Sequence, residues 1–175
     1  MLKMDILNNF NIPFVGLKEG KHNFNLSIDK KFFEHFEFTE FINPSLKCDL
    51  VLNKKSTFLE INFKVDGKVT IPCDVSTELF EHEIKNENNL IVKFGSSDYE
   101  SDDILVIPEG SYQINFAQHI YETIVLSLPL KKIHPGIKNG TLKSDILEKL
   151  KTLEPKKNNS DGSIDPRWNK LKDLL

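Results

Sequence analysis

The chain has 175 residues, 39% of them hydrophobic and 28% charged, with a formal net charge of -3 at pH 7. This composition is typical of a globular protein and excludes an intrinsically disordered one. No apolar run approaches the roughly 18 residues of a membrane-spanning helix. The first segment, Met1 to Phe14, contains Asp5 and asparagines where a secretion signal would be apolar. We therefore expect a cytoplasmic protein built around one main domain.

Charge is distributed unevenly along the chain. Residues 1–130 hold 12 basic and 20 acidic residues, a net charge of -8, whereas residues 131–175 hold 11 basic and 6 acidic residues, a net charge of +5. We therefore divide the chain into an acidic α+β body, residues 1–130, and a basic C-terminal tail, residues 131–175. Within the tail the composition predicts a linker at residues 154–164 and a terminal helix at residues 166–175.

The first half of the chain predicts β-strands. Apolar and polar residues alternate, as in half-buried strands, in three segments: Phe24 to Ile28, Leu46 to Leu52 and Phe58 to Val65. Asp66-Gly67 is the pair that a type I′ turn favours. It predicts a hairpin between the last of these strands and a strand that contains Val69, Ile71 and Cys73.

Further short elements follow from local patterns. Asp29 is expected to cap a short helix that ends at Phe36. Four more segments are predicted: a strand pair at Leu79 to Ile84 and Leu90 to Phe94 joined by Lys85 to Asn89, a short buried strand at Ile104 to Ile107, and a helix at Ser144 to Leu153.

One stretch has the period of an amphipathic helix. Residues 115–128 carry an apolar stripe through Phe116, Ile120, Ile124 and Leu128, with Asn115 and Gln118 as a capping box and Pro129 as the end. The predicted fold class is α+β. A curled, mainly antiparallel sheet packs on this one central helix, followed by a partly flexible helical C-terminal tail. The pattern fits both an open and a barrel-like sheet.

No catalytic or metal-binding motif is present in the sequence. The histidines and cysteines show no spacing suited to tetrahedral zinc, and no P-loop, G-x-G-x-x-G or G-x-S-x-G occurs. Cys73-Asp74-Val75-Ser76 has the frame of C-x-x-C but ends in serine, so a buried structural cysteine is the simpler interpretation. We therefore expect no enzyme activity, no cofactor and no bound metal.

The only arginine and the only tryptophan are neighbours, Arg167 and Trp168, in the string Asp165-Pro166-Arg167-Trp168-Asn169-Lys170-Leu171. Both residue types are enriched at binding hot spots, and arginine offers a planar fork for phosphate or carboxylate. Two interpretations remain open from the residues alone. The pair contacts a partner, or Trp168 docks the terminal helix on the body while Arg167 stays exposed.

Several strings, in this order and spacing, resemble the YceD family, the large ribosomal RNA subunit accumulation proteins of bacteria and plastids. They are Cys73-Asp74 after the predicted hairpin, Val92-Lys93-Phe94-Gly95, Ile120 to Pro129 running into His134, and Asp165-Pro166-Arg167-Trp168. The resemblance extends over about residues 12–175. It implies a cytoplasmic protein needed for normal accumulation of 23S rRNA, without established catalysis. Many members of the family carry C-x-x-C where this chain has Cys73 to Ser76. Other positions that match family positions are Glu122, Pro129, Asp165 and Pro166.

The leading hypothesis is a non-enzymatic ribosome-biogenesis factor that binds 23S rRNA or a large-subunit precursor through the basic tail. Cationic side chains would meet phosphates, and the tryptophan would stack on an unpaired base. The residues expected to make these contacts are Lys131, Lys132, His134, Lys138, Arg167 and Trp168. The alternative is a protein-interaction module whose acidic body holds a basic ribosomal protein before assembly.

Overall fold

The computed structural model of the protein describes residues 7–95 and 103–153. Its elements, in chain order, are β1 (Asn11–Pro13), β2 (Gly20–Ile28), α1 (Lys30–His35), β3 (Ser45–Lys54), β4 (Phe58–Pro72), β5 (Leu79–Phe94), β6 (Ile104–Ile107), β7 (Gln113–Asn115), α2 (Ala117–Val125), α3 (Pro135–Lys138) and α4 (Asp145–Leu153).

The architecture is α+β, and a five-stranded sheet with the order β2-β3-β4-β5-β6 dominates it. Neighbouring strands are antiparallel except for β6, which runs parallel to β5. β1 and β7 form a separate antiparallel pair. Within the described residues β2 and β6 are the two ends of the larger sheet, so the sheet is open and does not close into a barrel. The predicted α+β class is therefore confirmed, with several short helices where one central helix was expected.

The core lies between the inner face of the sheet and helix α2. Alternating residues of β3 and β4 are fully buried, among them Leu50, Leu52 and Phe63. The predicted stripe of α2 meets them, because Phe116 and Ile120 are also fully buried and Phe116 packs edge-on against Phe63. Each such side chain stabilises the fold by about 1.5–3 kcal/mol. The prediction that this stripe is core is confirmed.

The hairpin predicted at Asp66-Gly67 does not form, because β4 runs through both residues as a continuous strand. Gly67 pairs with Leu46 on one side and with Ile84 on the other. A side chain at position 67 would collide with the backbone of Ser45. Glycine at this position therefore allows two strands to approach each other closely, and it does not form a turn.

The phase of the apolar alternation explains why the strand continues. A two-residue turn at 66–67 would place Val65 opposite Lys68 and would send Val65 and Val69 to opposite faces of the sheet. A continuous strand keeps both valines on the inner face, where both are buried. The chain therefore buries more apolar surface without the turn.

β5 is a single strand of 16 residues where a pair of shorter strands was predicted. The polar stretch Lys85 to Asn89 stays in register with β4 and does not form a loop. Its polar residues are satisfied in place, since Asn86 on the inner side donates from Nδ2 to the carbonyl oxygen of Thr123 in α2 at 2.9 Å. The chain reverses instead between β4 and β5, at residues 73–78.

Helix α2 is shorter than predicted and lacks the expected capping box. Asn115 Oδ1 accepts from the N–H of Ala117, while Gln118 bonds forward to Glu122 at 2.7 Å and not back to the helix start. The helix ends at Val125, before Pro129. The N–H groups of Ser127 and Leu128 bond to carbonyl oxygens three residues back, as in a 3₁₀-helix, and not four residues back.

Other local predictions agree with the structure. Asp29 caps α1 by accepting from the N–H of Phe32 at 3.3 Å, and α4 matches the helix expected at Ser144 to Leu153. β6 forms as predicted but is only half-buried. The predicted linker at 154–164 and terminal helix at 166–175 lie outside the described residues.

Candidate functional site

The turn between β4 and β5 carries Cys73, a buried residue that is 2% exposed. Its Sγ accepts backbone N–H groups from Val75 at 3.4 Å and from Ser76 at 3.5 Å within the turn. A third donor is the N–H of His134 at 3.2 Å, from a segment 61 residues further along the chain. The sulfur therefore joins the turn to the start of the basic tail.

This environment lowers the pKa of the Cys73 thiol. Burial alone raises that pKa, but donors around the sulfur outweigh it. They are the hydroxyl of Ser76 and the N–H groups of His134, Ser76 and Val75. Cys48 in β3 is the opposite case, because its burial among apolar side chains raises its pKa to about 12. Of the two cysteines, only the one in the turn has a pKa below its ordinary value.

Lys132 is fastened to the same turn. Its backbone N–H donates to Asp74 Oδ2 at 2.7 Å, and its carbonyl oxygen accepts from the N–H of Asp74 at 2.8 Å. Its ammonium lies 2.8 Å from Glu40 Oε2 and 3.9 Å from Asp74 Oδ1, and its side chain is only 18% exposed. The hydrogen bond to Glu40 raises the pKa of Lys132, against a smaller opposing effect of burial.

His134 continues this attachment. Its Nδ1 accepts the N–H of Gly136 at 2.9 Å and so caps the one-turn helix α3. Its ring also packs edge-on against Phe80 of β5, with ring centres 5.5 Å apart. Residues 132–134, with their contacts to Glu40, Cys73, Asp74 and Phe80, form what we call the anchor.

The other lysines of the basic segment whose side chains the structure describes are exposed. Lys131, Lys138, Lys143 and Lys149 are exposed. None of them lies within ion-pair distance of a carboxylate of residues 7–95 or 103–153. We call these four residues the free lysines. Along residues 131–149 they supply positive charge that the described body does not pair with a carboxylate.

The residues predicted to bind RNA therefore fall into separate groups. Lys131 and Lys138 are exposed, whereas Lys132 and His134 are engaged with the body. Arg167 and Trp168 lie outside the described residues. RNA contact by any of these residues stays a prediction.

The remaining family positions make few contacts. Glu122 is exposed and accepts from Gln118 at 2.7 Å, and Pro129 is exposed at the end of the loop after α2. Asp165 and Pro166 lie outside the described residues. Cys73 is thus the family position that the structure places at the centre of the anchor.

Sequence reasoning missed the acidic half of the anchor, Glu40 and Asp74. Glu40 and Lys132 are 92 residues apart, and no local spacing pairs them. Only Asp74 had a signal, because it stands beside Cys73 in the turn that the family strings include.

Two further observations concern the described residues alone. No group of three or more His, Cys, Asp or Glu side chains there is arranged to hold a metal ion. No helix among them has both the length and the apolar character needed to cross a membrane.

The fold and the anchor define the class of protein: it is an α+β protein with a basic C-terminal segment that is bound to the turn between β4 and β5. Residues 61–175 match the family described as "Large ribosomal RNA subunit accumulation protein YceD", a range that covers more than half of the chain. The chain belongs to the YceD family. That name connects it with accumulation of large-subunit ribosomal RNA and so with ribosome biogenesis. The match begins within β4 and includes the turn, α2 and the whole basic tail. No curated protein and no solved structure matches the chain.

Proposed function

We propose that this protein supports accumulation of 23S rRNA by binding the RNA, or a large-subunit precursor particle, in the cytoplasm and without catalysing a reaction. The observation that carries the proposal is the set of four free lysines, exposed on one continuous segment next to the anchor. An RNA phosphate can approach these ammonium groups without first displacing a carboxylate of the described body. Arg167 and Trp168 extend the same proposal to the end of the tail.

Lys132 and His134 have a different part in this proposal from the one expected of them. The ammonium of Lys132 already lies 2.8 Å from a carboxylate oxygen of Glu40, and the Lys132 side chain is only 18% exposed, so an RNA phosphate would have to displace this partner to reach it. His134 uses its backbone N–H and its Nδ1 within the protein. We assign both residues to positioning, so that the free lysines leave the body at a fixed place.

Binding to fragments of 23S rRNA tests the proposal. We expect fluorescence anisotropy to show an affinity that falls steeply between about 50 and 200 mM salt, as released counterions require. Replacing all four free lysines by glutamine should make the slope of log K against log salt concentration shallower by about 3. Each lost phosphate contact accounts for about 0.7 to 0.9 of this change.

A matched control carries the same change in charge on the body. Lys21, Lys47, Lys64 and Lys93 are exposed on the outer face of the sheet and form no ion pair among the described residues. Changing these four lysines to glutamine should leave the affinity for RNA within about twofold of the wild type. Equal loss in both variants, or binding that does not respond to salt, contradicts the proposal.

A further inference from the structure

Within residues 7–95 and 103–153, most of β5 has a neighbouring strand on only one side. The strand is 16 residues long and pairs with β4 from Leu79 to Lys93, but β6 pairs only with Ile91 to Phe94. The pairing with β4 keeps one register from Phe58–Lys93 to Pro72–Leu79, without a bulge. The direction in which each backbone group points is therefore fixed along the whole strand.

Hydrogen bonds at the β6 end show which residues face away from β4. The N–H of Ile91 donates to Asp103 at 2.9 Å, and the N–H of Gly95 donates to Ile107 at 3.0 Å. Because backbone groups alternate sides along a strand, every second residue before Ile91 points the same way. These residues are Leu79, Glu81, Glu83, Lys85, Glu87 and Asn89.

Part of this edge is closed by its own side chains. Asn86 Oδ1 accepts the N–H of Glu87 at 2.9 Å, and Asn88 Oδ1 accepts the N–H of Asn89 at 2.8 Å. The outward N–H groups of residues 79, 81, 83 and 85 have no acceptor among the described residues. We call residues 79–85 the open edge. Seven residues of unpaired strand are a template for an added strand.

Helix α2 stands beside the open edge on the inner side of the sheet. Asn86 bonds the carbonyl oxygen of Thr123 at 2.9 Å, which places the second half of the helix next to this part of β5. Leu126, three residues further and so on a neighbouring part of the helix surface, is 80% exposed. A strand added here would have the open edge on one side and an apolar contact from the helix end close by.

We propose that the open edge binds an extended, lysine- or arginine-rich segment of a partner protein by β-strand addition. The backbone supplies the hydrogen bonds, and the outward side chains select the charge. Glu81 and Glu83 lie on the outer face of the open edge, and Glu87 lies two residues beyond it. Glu81 is 3.3 Å from Lys68 and Glu83 is 3.5 Å from Lys85, but these are exposed surface pairs, which contribute little and can be exchanged for a basic strand. Residues opposite these carboxylates in a paired strand are favoured when they are basic. The net negative charge of residues 1–130 suggests an interaction with a basic ribosomal protein, and this proposal assigns that interaction to the open edge. It does not depend on RNA binding by the free lysines.

A synthetic peptide that alternates lysine with valine or threonine over nine residues is the probe. We expect it to bind the full chain in a fluorescence anisotropy titration and to slow amide exchange at Glu81, Glu83 and Lys85 by tenfold or more. The same peptide with glutamate in place of lysine should bind at least tenfold more weakly. A version N-methylated on alternate residues of the pairing side should not bind, because it cannot donate to the edge.

Two substitutions at one position separate the backbone from the charge. Glu83→Pro removes an outward N–H that β4 does not use, and it should weaken binding tenfold or more. Glu83→Gln keeps that N–H and removes an exposed charge whose neighbour is Lys85 at 3.5 Å, and it should weaken binding about two- to threefold. The variant with all four free lysines changed to glutamine should bind the peptide like the wild type, which keeps this test separate from the one on RNA.

Three results overturn the proposal. One is an N-methylated peptide that binds as tightly as the parent, which decides the matter even when Glu83→Pro does not fold. Another is protection of amides elsewhere with none at the open edge. The third is protection that rises with protein concentration in the absence of peptide, which shows that a second copy of the chain occupies the edge.

Discussion

The sheet and the basic segment both hold lysines that are paired with carboxylates, but the paired lysines of the sheet are exposed, whereas Lys132 of the basic segment is mostly buried. On the outer face of the sheet Lys68 lies 3.3 Å from Glu81, and Lys85 lies 3.5 Å from Glu83 and 3.9 Å from Asp66. In the basic segment Lys132 is held by the body, while the free lysines have no carboxylate partner among the described residues. Net charge counted along a sequence therefore does not tell which cations are available, because availability depends on what folds next to them.

Lys54 of β3 extends this comparison. Its ammonium donates to the carbonyl oxygens of Phe14 and Leu17, both at 2.9 Å, and so fastens the segment before β2 to the sheet. A lysine of the body thus stabilises a loop, and Lys132 does the same for the tail. The anchor is the point where the two regions meet, and three predictions test it and the body beside it.

The largest expected effect is a difference in the reactivity of the two cysteines. The pKa of Cys48 is raised to about 12, whereas the pKa of Cys73 is lowered from its ordinary value of 9.0. At pH 8 the thiolate fractions then differ by at least about a thousandfold. We expect iodoacetamide to modify Cys73 at least about a hundredfold faster than Cys48. This ratio of rates is smaller than the ratio of thiolate fractions, because both thiols are buried and the reagent reaches neither of them freely. Mass spectrometry of the native protein measures both rates.

Unfolded protein is the control for this comparison, because both cysteines should then react at similar rates. The Cys73→Ser variant should show only the slow reaction of Cys48. Equal rates at both cysteines in the native protein would mean that the donors around the Cys73 sulfur do not stabilise its thiolate.

Removal of Asp74 should loosen the anchor without unfolding the sheet. Asp74→Ala takes away the acceptor of the Lys132 N–H and one of two carboxylates near its ammonium. We expect amide exchange at Lys132 and His134 to speed up about tenfold, a loss of roughly 1.4 kcal/mol of local stability. The global free energy of unfolding should fall by less, about 1 kcal/mol, because the Asp74 side chain is 38% exposed.

Asp49→Ala is the matched control for this change. Asp49 is an exposed aspartate of β3 that has no hydrogen bond or ion pair among the described residues, so its loss should leave exchange at the anchor unchanged. If both variants alter exchange equally, or if Asp74→Ala leaves it as in the wild type, Asp74 does not hold the tail.

Local patterns in the sequence were sufficient for the parts of the fold that repeat over a few residues. The inner faces of β3 and β4 and the buried stripe of α2 followed from periods of two and of 3.6, because burial acts on each residue of such a pattern. The pair Asp66-Gly67 misled the prediction for a physical reason. A turn preference is local and weak, whereas the unbroken phase from Val65 to Val69 commits a whole strand to one face.

The candidate site was only partly accessible from the sequence. Cys73 and the basic character of the tail were visible, and so was the likeness to the YceD family. Glu40 was not, because its contact with Lys132 joins residues that are 92 positions apart in the sequence. The open edge was equally hidden, since it depends on β5 being one long strand, and the sequence had suggested two.

The smallest expected effect is a dependence of stability on pH that belongs to the body. His119 of α2 lies beside the rings of Phe63 and Phe116, and its Nδ1 is buried without a partner among the described residues. Burial lowers the pKa of His119 below 6.5, with Glu122 opposing the shift. The unfolded chain therefore binds a proton more readily than the folded one, and stability decreases as the pH falls below about 6.5.

This loss should reach at most about 1.4 kcal/mol for each pH unit, and it should stop once the pH passes the folded-state pKa. The His119→Leu variant should lose part of this dependence, because leucine fills the apolar site without a proton to bind. Urea unfolding at pH 7.5 and at pH 5.5 measures the difference, and the values at pH 7.5 give each protein its own baseline. If wild type and variant lose the same free energy of unfolding between pH 7.5 and pH 5.5, protonation of His119 does not affect stability. The acid sensitivity then comes from other groups in the chain.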